Sequence, residues 1–555
     1  MPKPLLFVGK MEKISPTLIV VIKHKSRSSR IECNKTKTEV FMQTEKEYIT
    51  ERSIIGLHSE SIGEYPLPDY NGDVKRVLMI SPRVATTGKY MNESSLEFSG
   101  NVFYDVVYLD AQNNVSRAEF STEFDLGMKQ DSECYEDSAI STSISSYNVR
   151  LIGPRKFSAK ASLSSDVRVL EKRYLQISGD ATDEDAETLT EDAEVLTAAL
   201  LGADAQELRE DVAFIDGAIE DEVRLLMCDV GVGEISTACD AGACDVKCDI
   251  FVKIMYQNAN EPICTKHLSI PYSARIDSEA AEGCLSLFGK VNVSEVRTEL
   301  SPTDDGVGIA VCLTANPTLR GVKNERVEVI RDAYLKDKGT SNEYRDFGYT
   351  EHICSGSSMN AFSAKIPLSE VTDAPVLEII SADAVVSRDG AFVTNDGVSV
   401  KGELRFSALA KEECAGGEDY INLKFSVPFE QNVNMNCQIH DNMRAEASVE
   451  LCGERAEISD GHILVSCNLY TQACINSERR MRCLGASYLT DEKYANEASV
   501  ITVYYPDDKE SVFDIAKRFH TSVRKISEDN ALTEAVFNAK DAPVSAFGYK
   551  KLMIK

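Results

Sequence analysis

Residues whose types and spacing could do chemistry are sparse in this 555-residue chain. Asp304 and Asp305 in SPTDDG could pose as paired carboxylates, which general acid–base catalysis uses. The Ser, Pro and Gly around them are turn residues, so a turn is the simpler reading. The densest thiol group is Cys239, Cys244 and Cys248, with no CxxC pair. On a strand, Cys244, Val246, Cys248, Ile250, Val252 and Ile254 share one apolar face, which favours core packing over a metal site. His352 in EHIC and His440 in CQIHDN stand alone, where surface or core roles suffice. GVGE (231–234) lacks the third glycine of a dinucleotide loop, and no HExxH, GxSxG or P-loop pattern occurs. The expectation is no catalytic site, no cofactor and no metal, hence a binding or scaffold protein and not an enzyme.

Charge narrows the partners. The formal net charge is −29, which argues against nucleic acid, since phosphate binding needs a basic surface. Residues 1–38 are basic, with KHKSRSSR as the densest part, whereas 180–222 are acidic with Arg209 as the lone basic residue. That acidic stretch reads as a helix or a flexible linker. The run LIVVI (18–22) is too short to cross a bilayer and carries no cleavage site. The expectation is therefore no transmembrane segment and no export. The sixteen cysteines then read as reduced thiols that behave as small hydrophobes.

The elements that must position any site are repeated strands. Stepping 22 residues from Leu78, Leu226 and Ile380 reaches Gly100, Cys248 and Gly402. These open GNVFYDVVY, CDIFVKIMY and GELRFSALA. A polar turn follows, then AEFSTEF, KHLSIPY and LKFSVPF. In these, Phe120, Leu268 and Phe425 are each followed four residues later by an aromatic: Phe124, Tyr272 and Phe429. The alternation of VSVKGELRFSAL puts Val398, Val400, Gly402, Leu404, Phe406 and Ala408 on one face of a strand. Three β-sandwich-like repeats of about 150 residues follow from these spacings. NERVEVIRDAYLKDK reads as a short helix, or as a strand and turn.

The C-terminus differs. ASVITVYY reads as a strand. Ser511 can cap a helix holding Val512, Ile515, Ala516 and Phe519. Thr521 or Ser522 can cap a second helix with Val523 and Ile526 inward, and KKLMIK reads as a closing strand. The order is β-α-α-β in about 55 residues.

SVFDIAKRFHTSVRKISEDN (511–530) resembles a LysM domain: Ser511, Val512, Ile515, Ala516, Phe519, Ser522, Val523, Ile526 and Asn530 fall on the family's pattern. Departures are Lys509 for the loop glycine, Glu510 for aspartate, Phe513 for the frequent tryptophan, a missing closing proline, and Gly548 one residue off. With LPDYNGDVKRVL (67–78), GELRFSAL, FSVPF, SIPY and IRDAY (330–334), the whole arrangement is similar to the SPOCS-domain spore-coat morphogenetic proteins of clostridia, the SipL type.

That resemblance implies a mainly β fold: three tandem SPOCS-type repeats (66–175, 220–320 and 371–490) and a small α+β LysM domain (498–555). A variable segment (1–65), an acidic connector (176–219) and a second connector (321–370) would separate them. It implies a spore-coat adaptor in the mother-cell cytoplasm at the forespore surface. Its partner would be a coat morphogenetic ATPase docked by the LysM domain. Exposed basic and aromatic side chains are common interface anchors, so Lys509, Phe513, Lys517, Arg518, Arg524 and Lys525 are the expected docking surface. The alternative is a cell-wall protein that holds an N-acetylglucosamine-containing glycan through Asp508, Lys509, Glu510, Ser511 and Asn530.

Overall fold

Strands alternating apolar and polar residues account for most of the chain, and each needs a partner for its backbone groups. The computed structural model describes residues 39–69, 71–92, 95–129, 135–181, 185–240, 242–259, 262–414, 417–494 and 501–555. The basic N-terminal stretch and LIVVI lie outside the described residues. The fold is mainly β, and 39–555 pack as one unit.

One six-strand plan occurs three times. The first set is β1 (Phe41–Pro66), β2 (Val74–Met91), β3 (Ser95–Asp110), β4 (Val115–Lys129), β5 (Tyr135–Gly153) and β6 (Lys156–Ala181). It forms a meander β2-β3-β4 and a long antiparallel sheet β1-β6-β5. The second set is β7 (Ala186–Gly202), β8 (Gln206–Asp216), β9 (Val223–Val232), β10 (Ser236–Asp240), β11 (Ala243–Asn258), β12 (Cys264–Asp277), β13 (Ser286–Thr303) and β14 (Gly306–Leu335). Here β7 and β8 pair successive parts of β14 as β1 pairs β6, and β9 and β10 divide β11 as β2 serves β3 alone. The third set is β15 (Lys338–Pro367), a one-turn α1 (Leu368–Val371), β16 (Val376–Thr394), β17 (Gly397–Cys414), β18 (Gly417–Asn434), β19 (Met443–Ser459) and β20 (His462–Lys493). It has the meander β16-β17-β18 and the sheet β15-β20-β19. Each set encloses its own apolar core between its two sheets.

The acidic stretch is neither helix nor flexible linker but strands β7 and β8, whereas NERVEVIRDAYLKDK takes its strand-and-turn alternative, completing β14 and turning before β15. Strand likewise occupies much of 321–370, and β1 occupies the end of 1–65. Glutamate and alanine favour helix locally, but pairing along β14 overrides that preference. The charges lie on the solvated side and pair with neighbouring strands: Arg326–Glu194 at 2.9 Å, Arg331–Glu191 at 2.7 Å and Arg209–Glu299 at 3.2 Å. Cys239 and Cys244 are not reduced thiols. They lie opposite each other on β10 and β11 and form a disulfide, because directly opposed strand residues bring their Cβ atoms close. Cys228, Cys248, Cys452, Cys467, Cys474 and Cys483 are free and buried.

The 22-residue spacing has a structural cause. Gly100, Cys248 and Gly402 pair directly with Phe124, Tyr272 and Phe429 on the next strand. A Cβ on Gly100 would lie 2.6 Å from the Phe124 ring, and one on Gly402 would lie 2.8 Å from Phe429 and 2.3 Å from the Ser387 carbonyl oxygen. The aromatic ring takes the space that a side chain would need.

Beyond these three cores the sets close on one another. Leu78, Met79, Val107, Leu226, Met227, Met255 and Leu409 form one buried cluster, with Ile380 packed against it. Corresponding positions of all three meanders thus meet at one place. Each meander also reaches a bulged strand of the next set. Arg83 donates to the carbonyls of Val293 and Ser294 on β13 at 3.0 and 2.9 Å. Lys253 donates to Glu454 on β19 at 2.7 Å. Arg405 donates to the Ser145 carbonyl on β5 at 3.0 Å. The order one to two, two to three, three to one is a closed cycle. Gly402→Val forces a branched side chain into occupied space, so thermal or urea unfolding of the full chain is expected to show a loss of about 1–3 kcal/mol.

Candidate functional site

The C-terminal segment folds as a small two-layer module. β21 (Thr502–Tyr504) and β22 (Leu552–Ile554) pair antiparallel beneath α2 (Val512–Arg518) and α3 (Val523–Asn530). A further short helix, α4 (Glu534–Asn538), is absent from the β-α-α-β expectation. Ser511 caps α2 through a reciprocal pair with Asp514, and Ser522, not Thr521, caps α3. Val512, Ile515, Ala516, Val523, Ile526, Leu552 and Ile554 form the core, with Phe519 partly buried beside them.

The expected docking and sugar residues divide into three groups. Phe513 is not exposed. At 1 % accessibility it belongs to the core, and its ring meets Tyr334 of β14 edge-on at 5.3 Å. Lys517 is drawn to the same contact by Asp332 at 2.5 Å. The Tyr334 hydroxyl donates to the Thr521 carbonyl at 2.7 Å, and Tyr494 stacks on His520. These contacts join the module to the β body, and sequence alone could not reveal them because Asp332 and Tyr334 lie far away in the chain.

The second group holds the module's own shape. Arg518 pairs with Glu510 and donates to the Tyr504 hydroxyl. Partial burial works against ionising Glu510. The Asp507 N–H, the Tyr504 hydroxyl and Arg518 outweigh it and hold the carboxyl below its usual range. The Ser511 region is bridged to Pro543, and the Val544 N–H donates to the Glu510 carbonyl at 2.9 Å. The Ser545 hydroxyl donates to the Asp508 carbonyl at 3.0 Å. The two loops that would flank a sugar groove are therefore tied together. Asn530 accepts from the Met553 N–H at 2.6 Å and donates to the Met553 carbonyl at 2.7 Å, which locks β22 onto α3.

The third group is free at the surface: Asp508, Lys509, Arg524 and Lys525 are exposed, with Arg524 paired to Glu528 along α3. Opposite the helices, the sheet presents a face that sequence reasoning missed. Ile501, Val503, Tyr505 and Met553 are 61, 53, 69 and 43 % exposed. Val503 lies directly across from Met553, and exposed Lys551 and Lys555 flank Met553 along the strand. The signal in the sequence was a strand apolar on both faces, ITVYY, where one covered face needs only alternate residues.

In the β body the titratable groups converge on Lys253, a lone lysine in the apolar run CDIFVKIMY. It is buried. Its ammonium lies 2.7 Å from Glu454, 3.2 Å from Asp229 and 3.5 Å from Asp383, and donates to the Ala382 carbonyl at 2.9 Å. Burial disfavours the charge, but Asp383, Glu454 and Asp229 outweigh it and hold the ammonium protonated. Burial also pushes Asp383 well above the usual carboxylate range, against the pull of Lys253. Asp229, Asp383 and Glu454 are close enough to share a metal ion, yet the Lys253 ammonium already supplies the cation among them. Asp304 and Asp305 occupy a turn, and His352 is a buried partner of Asn476 at 3.0 Å.

Lys253→Met would leave three converging carboxylates, those of Asp383 and Glu454 buried, without their cation. The expected loss is about 3–5 kcal/mol at neutral pH. A carboxyl whose pKa burial raises holds its proton more tightly when folded. Its penalty is therefore absent below about pH 4 and grows as pH rises. Denaturant unfolding should show a larger deficit at pH 8 than at pH 5.

The chain matches no protein-family model, and no curated protein aligns to it significantly. Among the described residues no helix is long and apolar enough to cross a membrane.

Proposed function

We propose that this chain is a non-enzymatic structural adaptor, whose three-part β body holds a small module that docks a protein partner. The observation that carries the reading is the outward face of β21 and β22. Four large apolar side chains stand exposed there beside Lys551 and Lys555. Exposed apolar patches with polar rims mark interaction surfaces. The flanking lysines suit a partner whose own apolar patch is edged with carboxylates. The body supports the reading too, because buried charges such as Lys253 with Asp383 and Glu454, and Glu51 with Arg320, are engaged in contacts between sets.

The resemblance to SPOCS-domain and LysM proteins supports the setting. The adaptor would serve spore-coat assembly in the mother cell, and the partner would be a coat morphogenetic ATPase at the forespore surface. The docking face shifts from the helices to the sheet. Phe513 and Lys517 face the body, and Arg518 is engaged within the module. The glycan reading keeps only Asp508 and Lys509 with free side chains, since Glu510, Ser511 and Asn530 are committed to the fold.

The test is binding of the full chain to the purified ATPase, measured by biolayer interferometry. Val503→Asp with Met553→Asp is expected to weaken binding at least tenfold, about 1.4 kcal/mol, with the melting temperature unchanged. Arg524→Ala with Lys525→Ala should bind normally. Full affinity in the first variant, or a loss confined to the second, would overturn the proposal.

A further inference from the structure

The cyclic arrangement supplies an internal comparison of three junctions. At the first, Arg83 crosses to the bulge carbonyls of β13 with its guanidinium 4.8 Å above the Phe103 ring. At the third, Arg405 crosses to the bulge of β5. At the second, the crossing cation is Lys253 on Glu454, and neither arginine has a counterpart. Gly231 stands five residues past Leu226, as Arg83 stands past Leu78. Phe251 stands three past Cys248, as Arg405 stands past Gly402. A cavity of about 510 Å³ occupies this junction, between β9, β11 and β12 on one side and β15, β19 and β20 on the other. That volume is in the range of small-molecule pockets.

The lining has two electrically different ends. The buried end carries Asp229 and Glu454, with Asp383 behind them, so three carboxylates face the single ammonium of Lys253. The outer end carries the exposed Arg455 guanidinium and the half-buried His267 imidazole. Arg455 has no ion-pair partner among the described residues. Burial, then the charges of Arg455 and Lys253, lower the His267 pKa to about 4, so at neutral pH the imidazole is uncharged and can donate an N–H. Phe251 and Phe362 add apolar wall.

We infer that this junction binds a small zwitterion of the amino-acid class. Its cationic group takes the acidic inner end beside Lys253, where carboxylates outnumber the single ammonium, and its carboxylate meets Arg455 and His267. An arginine-like molecule fits best, since a guanidinium is the group that the sister junctions receive.

The test is calorimetric titration of the full chain with L-arginine, with agmatine, which lacks the carboxylate, and with inorganic phosphate. Saturable L-arginine binding is expected, at least tenfold tighter than agmatine. Arg455→Ala should remove that tenfold preference while leaving agmatine binding unchanged. Phe251→Arg, which supplies the missing arginine from the chain, should abolish binding of both. Arg455→Ala alters an exposed side chain, so it keeps the test valid if Phe251→Arg does not fold. Absence of saturable L-arginine binding would overturn the inference, as would equal binding of L-arginine and phosphate, which would mark a plain oxyanion site. L-arginine affinity unchanged in Arg455→Ala would overturn it equally.

Discussion

The inner ends of three meanders exclude water only by meeting one another. Leu78 with Met79, Leu226 with Met227, and Ile380 occupy the same place in the six-strand plan, and they pack into one cluster with Val107, Met255 and Leu409. Each set has a core of its own, but this second cluster belongs to none of them separately. A set removed from the cycle would expose its share of the cluster along with the polar crossing that follows it. The architecture is therefore constrained twice, by apolar contact at the centre and by a cation from each meander reaching the next bulged strand.

The repetition is broken where polarity is concerned. Five residues past Gly100, Cys248 and Gly402 stand Asp105, Lys253 and Ser407. Three past Leu78, Leu226 and Ile380 stand Ser81, Asp229 and Asp383. A single ammonium thus serves carboxylates contributed by two sets. Such a buried cluster is weak evidence for added stability, because desolvation offsets attraction. It does discriminate between arrangements: a different order of the sets would leave Lys253 or its carboxylates buried and unpaired.

Much of this was legible in sequence because strand period and repeat spacing are local properties. The positions Gly100, Cys248 and Gly402 announced themselves through their distances to Leu78, Leu226 and Ile380, and the cap at Ser511 through residue type, whereas residue type left the second cap open between Thr521 and Ser522. What escaped depended on distant partners. The acidic strands β7 and β8 look helical until β14 is laid beside them. Phe513 looks like an exposed anchor until Tyr334 covers it. Lys253 looks like a surface lysine in a strand, and its three carboxylates come from residues 229, 383 and 454. Cys239 and Cys244 are five residues apart in the chain, and nothing in that spacing says that a hairpin opposes them.

The module follows the same logic as the body. Tyr334 and Asp332 hold one side of it, the bridged loops close a second, and the outward face of the sheet stays open to solvent. A fold that resembles a sugar reader would then present protein-binding surface on a rigid support. The most direct measurement is a calorimetric titration of the full chain with an N-acetylglucosamine oligomer, with the module's fold checked by circular dichroism. The account predicts no saturable heat up to low millimolar concentration. Saturable heat that disappears on changing Asp508 and Lys509 would contradict it and return the module to glycan binding.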